Sequence, residues 1–247
     1  MNGPGWFLDR EGGLAVMRFG LLAEHGVRHG LVVRDGGRAI DEEAVYRSLA
    51  SEKLTVVTEQ THSTKAADVG PGFADFFPSR LGADGLMTGE PGVTLTIHTA
   101  DCVPVFLALP GGTAVGLFHC GWRGTAGGFL TKAAGEMAAR YRADRAGLLA
   151  VIGPCIEKDC YPVGPEAAES FPPEVKSERP DGRWLVDLKA ENRRQLLAAG
   201  LKGTNVHVSP LCTRCRDELF HSYRREGAEL EGKMVAYIEA GHEEERS

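Results

Sequence analysis

The sequence predicts an α/β fold, more fully an α+β arrangement in which mixed β-sheets are layered and flanked by helices. Short apolar runs bounded by Gly, Pro and Asp recur along the chain and are typical of buried strands. Helical patterns occur between some of these runs without a regular strand–helix alternation, which favours mixed sheets over a doubly wound parallel sheet. No repeat, low-complexity run or linker divides the sequence, so we expect a single-domain layered sandwich over residues 1–247.

Each predicted strand is a short run of apolar or β-branched residues that ends at a turn signal. Helices are predicted from Asp41, whose side chain suits an N-cap, from the amphipathic pattern at Phe129, from Pro165, and in a segment that ends at Gly200. In chain order the predicted strands are 14–19, 30–33, 54–57, 86–88, 93–97, 103–109, 113–118, 148–152, 184–188, 206–208 and 234–238.

Two segments, 63–80 and 172–182, are predicted to be loops because they are polar and rich in Gly and Pro. The first contains the apolar side chains of Phe73, Phe76 and Phe77. Such aromatics suit a lid over a binding site, or they pin the loop to the core. We favour the second interpretation.

Composition restricts the classes of function. A hydrophobic content of 43% and a charged content of 25% are ordinary for a soluble globular protein. The formal net charge of −6 argues against a general nucleic-acid-binding protein, which would carry a basic stripe. The N-terminus lacks a signal-peptide pattern, and the longest apolar run, 103–109, is too short to span a bilayer. We expect a cytoplasmic monomer or weak homodimer that binds neither nucleic acid nor membranes.

The six cysteines are not expected to form disulfides, because a chain of this length does not depend on a disulfide framework. In a reducing compartment, cysteines are buried thiols, metal ligands or nucleophiles. Cys212 and Cys215 form half of a zinc-ribbon-like pattern, but the sequence has no second CxxC to complete it. We therefore favour two buried thiols there over a redox pair.

The segment 116–124, with the sequence GLFHCGWRG, carries the strongest functional signal. A strand predicted to end at Phe118 places His119 at the rim of a sheet. Arg123 then stands at the start of a helix, where free backbone N–H groups and the helix dipole favour an anion. We predict that Arg123 holds phosphate or an oxyanion, since guanidinium matches phosphate bidentately; the alternative is that it braces the turn.

Two more metal-type ligands occur at predicted strand ends, His62 after 54–57 and Cys102 before 103–109. Two imidazoles and one thiolate suit zinc, and a catalytic zinc has three protein ligands and one open position. Asp101, next to Cys102, is a candidate orienter of a ligand or a proton shuttle. Spacing alone is weak support, because a buried thiol and ordinary polar histidines explain the same residues.

A series of short motifs strengthens this prediction. Together they resemble the family long described as multicopper polyphenol oxidases, or laccase-domain proteins, and since reassigned as zinc-dependent purine nucleoside phosphorylase/adenosine deaminase. In order along nearly the whole chain they are Gln60-Thr61-His62, Ala83-Asp84-Gly85, Thr99-Ala100-Asp101-Cys102-Val103-Pro104-Val105, His119-Cys120-Gly121-Trp122-Arg123-Gly124, Ile152-Gly153-Pro154, Tyr161-Pro162-Val163-Gly164 and Ser222-Tyr223-Arg224-Arg225.

The resemblance implies a mixed α/β sandwich related to a toxin deamidase domain, with metal ligands at His62, Cys102 and His119. It also implies phosphorolysis of adenosine, inosine and methylthioadenosine with inorganic phosphate as co-substrate, and deamination of adenosine through a metal-activated water. Three departures from the family pattern remove no ligand: Ser63 in place of glycine, Cys120 in place of alanine, and Cys215, which adds a CxxC to a motif that commonly has only the first cysteine.

Five residues are predicted to act in catalysis or to bind substrate. Asp101 and Arg123 are the predicted catalytic residues. Gln60 is predicted to hydrogen-bond a purine edge, with orientation of its turn as the alternative. Arg34 and Arg224 are predicted to face an anionic co-substrate, although surface arginines are usually only solvated.

Three other functions stay open. Two histidines and one cysteine with a weak axial methionine also bind copper in blue-copper sites, so a copper-dependent polyphenol oxidase is one alternative. The trinuclear cluster of multicopper laccases, however, needs many additional histidines, and this chain has eight in total. Cys102 as nucleophile and His119 as base would give a cysteine-type hydrolase, for example one that edits cell-wall precursors. A binding module with a structural zinc would need a fourth protein ligand.

Overall fold

The computed structural model of the chain describes residues 2–3, 5–49, 54–70, 73 and 79–241. In chain order the strands are β1 (Asn2–Gly3), β2 (Trp6–Glu11), β3 (Leu14–Phe19), β4 (Arg28–Val32), β5 (Leu54–Thr58), β6 (Ala66–Asp68), β7 (Ser79–Leu81), β8 (Gly85–Thr88), β9 (Val93–Thr99), β10 (Val103–Ala108), β11 (Val115–Cys120), β12 (Leu149–Ile152), β13 (Pro162–Val163), β14 (Lys176–Glu178), β15 (Trp184–Val186), β16 (Val206–Val208) and β17 (Met234–Glu239).

The helices are short and lie mainly in the second half of the chain. None of those within the described ranges is long and apolar enough to cross a membrane. They are α1 (Gly20–Ala23), α2 (Glu42–Leu49), α3 (Trp122–Ala126), α4 (Phe129–Arg140), α5 (Pro165–Ala168), α6 (Leu188–Ala198) and α7 (Tyr223–Glu226).

The strands form mixed sheets, as the sequence predicts. The first sheet has the order β1-β2-β3-β4-β17-β9-β5-β7, the second has the order β16-β12-β10-β11-β8-β6, and β13-β15-β14 form a small third sheet. Strand β5 is parallel to both β7 and β9, β6 is parallel to β8, and β12 is parallel to β16. The other pairs are antiparallel.

Two hydrophobic layers cover the second sheet, one on each face. Successive side chains of a strand point to opposite faces, so Phe106 and Leu117 join the layer shared with the first sheet. Their neighbours Val105 and Phe118 join the other layer, which is shared with α4 and α6. Burial on both faces explains why β10, β11 and β12 are continuous apolar runs.

Two segments predicted as loops contain strands. Segment 63–80 includes β6 and the start of β7, and segment 172–182 includes β14. The loop prediction is wrong there because these strands have three residues each, too few for an alternating pattern to appear. Phe73 is half-buried against the first hydrophobic layer, whereas Phe76 and Phe77 lie outside the described residues.

Candidate metal centre and its pocket

Antiparallel pairing of β10 with β11 brings Cys102 and His119 to the same end of the second sheet. The register aligns Val103 with Cys120 and Pro104 with His119. Cys102, one residue before β10, therefore lies beside the last residues of β11. Because both strands are buried on both faces, their ends are held rigidly by the hydrophobic layers.

His62 reaches the same place from the first sheet. It lies between β5 of the first sheet and β6 of the second, where the chain crosses from one layer to the other. Its φ of 59° is in the left-handed region, which is uncommon for a residue other than glycine. The ligand atoms of His62, Cys102 and His119 all lie within 4.8 Å of one another, so the three residues that the sequence singles out converge in space.

Asp84, the residue before β8, holds this arrangement together, although no role is predicted for it from the sequence. Its carboxylate accepts hydrogen bonds from the backbone N–H groups of His62 at 3.0 Å and Ser63 at 2.6 Å. It also contacts the Nδ1 atom of His119 at 2.9 Å, and it is fully buried. The Ala83-Asp84-Gly85 motif of the family was the signal that pointed to it.

The charges of these groups support one another. Burial raises the pKa of the Asp84 carboxyl, but hydrogen bonds from His119 and Ser63 outweigh burial and hold that pKa well below its usual range. Burial lowers the pKa of His119, but Cys102 and Asp84 raise it to about 9. Burial raises the pKa of the Cys102 thiol, but the charge and hydrogen bonds of His119 and His62 lower it to about 6. Cys102 is thus easily deprotonated, as a metal ligand must be, whereas His119 would release a proton when a metal binds.

This donor set fits zinc. A carboxylate on the Nδ1 atom of His119 fixes the ring and leaves its Nε2 atom for a metal. Zinc binds nitrogen at about 2.0 Å and sulfur at about 2.3 Å, so the ligand atoms of a tetrahedral site lie about 3.5 Å apart, within the observed limit. Three protein ligands leave one position for water or substrate.

Gly121 keeps the space between two of the ligands open. A Cβ atom at this position would lie 2.6 Å from His62 Nδ1 and 3.2 Å from Cys102 Sγ. Its φ of −69° suits any residue, so a substitution of Gly121 introduces no backbone strain and acts only through the added side chain. We expect Gly121→Ala to weaken zinc binding about 10- to 100-fold, as displaced ligands do, while the fold is kept.

Competition with a zinc chelator measures this affinity, and circular dichroism reports the fold. Gly82→Ala is the matched control, because a Cβ atom there meets no atom of the described residues within 4 Å. Equal zinc affinity in the two variants would show that His62 and Cys102 do not share an ion.

The three ligands line a pocket of about 430 Å³, a volume typical of sites for small molecules. Its described walls also carry aromatic and cationic side chains. The guanidinium of Arg224 lies 4.7 Å from the centre of the Tyr161 ring. Tyr223 is 61% exposed. The other side chains at the pocket are Gln60, His98, Ala100, Asp101, Trp122, Leu230 and Lys233.

Asp101 lines this pocket, and both of its carboxylate oxygens are engaged. One accepts a hydrogen bond from the Thr213 hydroxyl at 2.6 Å, and the other accepts one from the backbone N–H of Arg224 at 2.7 Å. Its φ of 93° is again left-handed. These contacts favour the orienting role among the two that the sequence suggests, since they fix the turn before Cys102. A direct catalytic role for Asp101 stays a prediction.

Gln60 also lines the pocket and is tied to the neighbouring strand. Its Nε2 atom donates to the carbonyl of His98 at 2.8 Å, and its Oε1 atom accepts the backbone N–H of His98 at 2.7 Å. The side chain thus continues the ladder of the first sheet beyond β5. The Oε1 atom also accepts the Thr58 hydroxyl at 3.1 Å, so among the described residues only the second N–H of Nε2 has no partner, and contact with a purine edge stays a prediction.

The other two predicted arginines, Arg123 and Arg34, lie in different places. Arg123 is exposed at the start of α3, with its guanidinium 4.4 Å from the centre of the Trp122 ring, and Trp122 itself lines the pocket. Arg34 lies instead in a separate hollow, where its guanidinium donates to the backbone carbonyls of Gly37 and Asp217. The structure therefore does not bring Arg34 to the metal ligands.

The family model described as Multi-copper polyphenol oxidoreductase laccase matches residues 6–240. The chain belongs to this laccase-domain family. The resemblance that the motifs indicated is thereby confirmed, and the mixed α/β fold is that of the family.

Relatives in the laccase-domain family carry the names of purine nucleoside enzymes. Purine nucleoside phosphorylase YlmD of Geobacillus stearothermophilus is 38% identical over 195 residues, which span 74% of this chain and 71% of that protein. Adenosine deaminase RL5, from an unknown prokaryotic organism, is 36% identical over 184 residues, 70% of each protein. The crystal structure of YlmD from Geobacillus stearothermophilus superposes with a TM-score of 0.82 at 32% identity and covers 95% of this chain and 99% of its own.

Proposed function

We propose that this protein is a zinc-dependent purine nucleoside enzyme. It catalyses phosphorolysis of adenosine, inosine and methylthioadenosine, and deamination of adenosine. The observation that carries the proposal is the convergence of His62, Cys102 and His119 within 4.8 Å in the wall of a pocket of suitable size. The names of the two relatives support the choice of purine nucleosides as substrates.

His62, Cys102 and His119 would hold the ion, and Asp84 holds two of them in place. Bound zinc supplies a Lewis acid that activates water for attack on C6 of adenine. The protein's part is to fix the ligands and to position the base. The Asp84 carboxylate fixes two of the ligands, because it accepts hydrogen bonds from His119 Nδ1 and from the backbone N–H of His62.

Two aromatic side chains offer flat faces to a purine. Trp122 is half-buried in the wall, and Tyr223 is exposed at the pocket. Stacking on aromatic rings stabilises a bound base by about 1–3 kcal/mol. Gln60 is held in the same wall by its two hydrogen bonds with His98, and the second N–H of its Nε2 atom can donate to the edge of the base.

The cationic side chains of the pocket would hold phosphate. Arg224 and Lys233 line it, and Arg123 lies beside Trp122 at its edge. In phosphorolysis a phosphate oxygen forms a bond to C1′ of ribose while the C1′–N9 bond breaks and the base leaves with a proton. Guanidinium groups bind phosphate bidentately and offset its charge. Arg34 is left out because it lies in another hollow.

Incubation of the zinc-loaded protein with adenosine or inosine, with and without phosphate, tests the proposal. We expect ribose 1-phosphate and hypoxanthine from inosine only when phosphate is present, and inosine with ammonia from adenosine in its absence. A protein that leaves both nucleosides unchanged under both conditions would refute the proposed function.

The paired variants Arg224→Ala and Arg34→Ala test the phosphate site. We expect Arg224→Ala to raise the KM for phosphate about 10- to 100-fold, because a charge-assisted hydrogen bond contributes about 1.5–3 kcal/mol. Arg34→Ala should leave this KM unchanged. Steady-state kinetics with phosphate as the varied substrate measures both KM values. Equal values in the two variants would show that Arg224 does not bind phosphate.

A cysteine-type hydrolase is the second candidate, because Cys102, His119 and Asp84 stand in the order of nucleophile, base and orienting acid. Alkylation with iodoacetamide separates the two functions. A zinc enzyme gains activity with the metal, which also shields Cys102 from the reagent. A cysteine hydrolase is inhibited by the metal and inactivated by alkylation.

The residues that line the pocket favour zinc over copper. No methionine is found among the described residues that line it, so the weak axial ligand of a blue-copper site is not provided there. Metal analysis of the protein as isolated, together with the absence of an intense thiolate–copper absorption band, would exclude the copper alternative.

A further inference from the structure

A second group of metal-type ligands lies apart from the first. The sulfur atoms of Cys160, Cys212 and Cys215 all lie within 4.8 Å of one another. The Cys160 and Cys215 sulfurs are 3.4 Å apart. The interpretation of Cys212 and Cys215 as two buried thiols is wrong, because Cys215 is exposed. The CxxC turn thus has a third ligand that no sequence spacing revealed.

We propose that Cys160, Cys212 and Cys215 form a second metal site, which binds zinc through three thiolates and leaves one position for water or an external ligand. Sulfur atoms bound at about 2.3 Å around a tetrahedral zinc lie about 3.8 Å apart, so the observed spacing needs only small side-chain shifts. A donor set of sulfur alone selects zinc or another soft ion over magnesium and calcium.

The surroundings of the Cys212 and Cys160 sulfurs suit negative charge. The Cys212 sulfur accepts a hydrogen bond from the backbone N–H of Glu157 at 3.4 Å, and the N–H groups of Cys215 and Arg214 lie beside it. The guanidinium of Arg214 lies 3.8 Å from the Cys160 sulfur. Three thiolates and one divalent zinc carry a net negative charge, which this guanidinium offsets.

The CxxC turn is held in shape before any metal binds. Arg225 donates through Nη1 to the carbonyls of Thr213 and Arg214, both at 2.9 Å. Its Nη2 atom donates to the carbonyl of Phe220 at 2.6 Å. A preformed turn of this kind lowers the entropy that metal binding would otherwise cost.

The second site is connected to the pocket through its neighbours. Thr213, inside the CxxC turn, donates to Asp101 at the pocket wall. Tyr161, next to Cys160, lines the same pocket. A metal that joins Cys160 to the CxxC turn therefore ties together the two segments that carry Thr213 and Tyr161. The site does not depend on the proposed function, because its ligands are distinct from His62, Cys102 and His119.

The zinc content of the reduced full-length protein tests this proposal. We expect about two ions per chain in the natural protein, about one in Cys215→Ser, about one in Cys102→Ala, and none in the double variant. Cys155→Ala, which removes a buried thiol outside both groups, should keep about two. Far-UV circular dichroism confirms that each variant is folded.

Cadmium titration supplies a second readout that does not involve activity. We expect a thiolate-to-cadmium charge-transfer band in Cys102→Ala that is lost when Cys160→Ser or Cys215→Ser is added. Retention of about one zinc by Cys102→Ala supports the second site whatever the nucleoside assays show. Equal zinc content in Cys215→Ser and the natural protein would overturn it. So would a Cys160–Cys215 disulfide in a protein that takes up zinc only at the first site.

Discussion

Cys102→Ala is expected to lower the zinc content by about one ion per chain and to reduce kcat/KM for adenosine and inosine by more than about 100-fold. Removal of a group that only supports a metal ligand lowers metal affinity or activity by up to about 100-fold. Cys102 is proposed to be a ligand itself, so its removal should cost more. It is also the anionic member of the set, with a pKa held to about 6 by the two histidines against the effect of its burial. Two imidazoles alone leave a zinc site half-filled.

Atomic spectroscopy and steady-state kinetics measure the two effects. Cys120→Ala is the matched control, because this neighbouring thiol is buried in the hydrophobic layer shared with α4 and α6 and is not among the converging ligands. We expect Cys120→Ala to keep zinc and activity. If Cys102→Ala kept its zinc, or if both variants lost the same amount, the proposed centre would be wrong.

Asp84→Asn is expected to weaken zinc binding about 10- to 100-fold and to lower the free energy of unfolding by about 3 kcal/mol. The substitution changes one atom, but it places an N–H donor where the backbone N–H groups of His62 and Ser63 now donate. It also removes the charge beside His119. A buried donor facing another donor is left unsatisfied, which is costly in a site with 0% exposure.

Urea unfolding of the zinc-free protein and chelator competition measure the two effects separately. Asp68→Asn is the matched control, since that carboxylate pairs with the exposed Arg140 and with Tyr141 nearer the surface. We expect it to cost less than about 1 kcal/mol. Similar losses in the two variants would show that Asp84 does not organise the site.

The pH dependence of stability follows from the same carboxylate. Because the pKa of Asp84 is lower in the folded protein than in the unfolded chain, its contribution is complete above about pH 4 and is lost as the pH falls toward the folded value. We expect the natural protein to lose stability over this acid range, and Asp84→Asn to lose less. Parallel curves would contradict the role given to the charge.

Local pattern predicted the buried strands well. Strand β3 coincides with the predicted 14–19, and β10 and β12 differ from prediction by one residue at one end. Strands β10 and β12 are continuous apolar runs, and β3 is apolar except for Arg18, so all three can be predicted without knowledge of the strands beside them. The short strands β6, β7 and β14 were missed because their polar sequences form strands only through pairing with β8, β5 and β15.

The sequence is enough to identify the kinds of ligand and to place them at strand ends, since strand ends follow from local apolar runs. It also carried the motifs that place the chain in its family. Which of these ligands meet depends on how distant segments of the chain pack together. The register of β10 against β11 and the crossing of the chain between the sheets bring His62 to Cys102 and His119. The same packing brings Asp84 into contact with His119 and places Arg34 in a separate hollow. Contacts between distant segments depend on strand register and on the packing of layers, and no local sequence pattern contains this information.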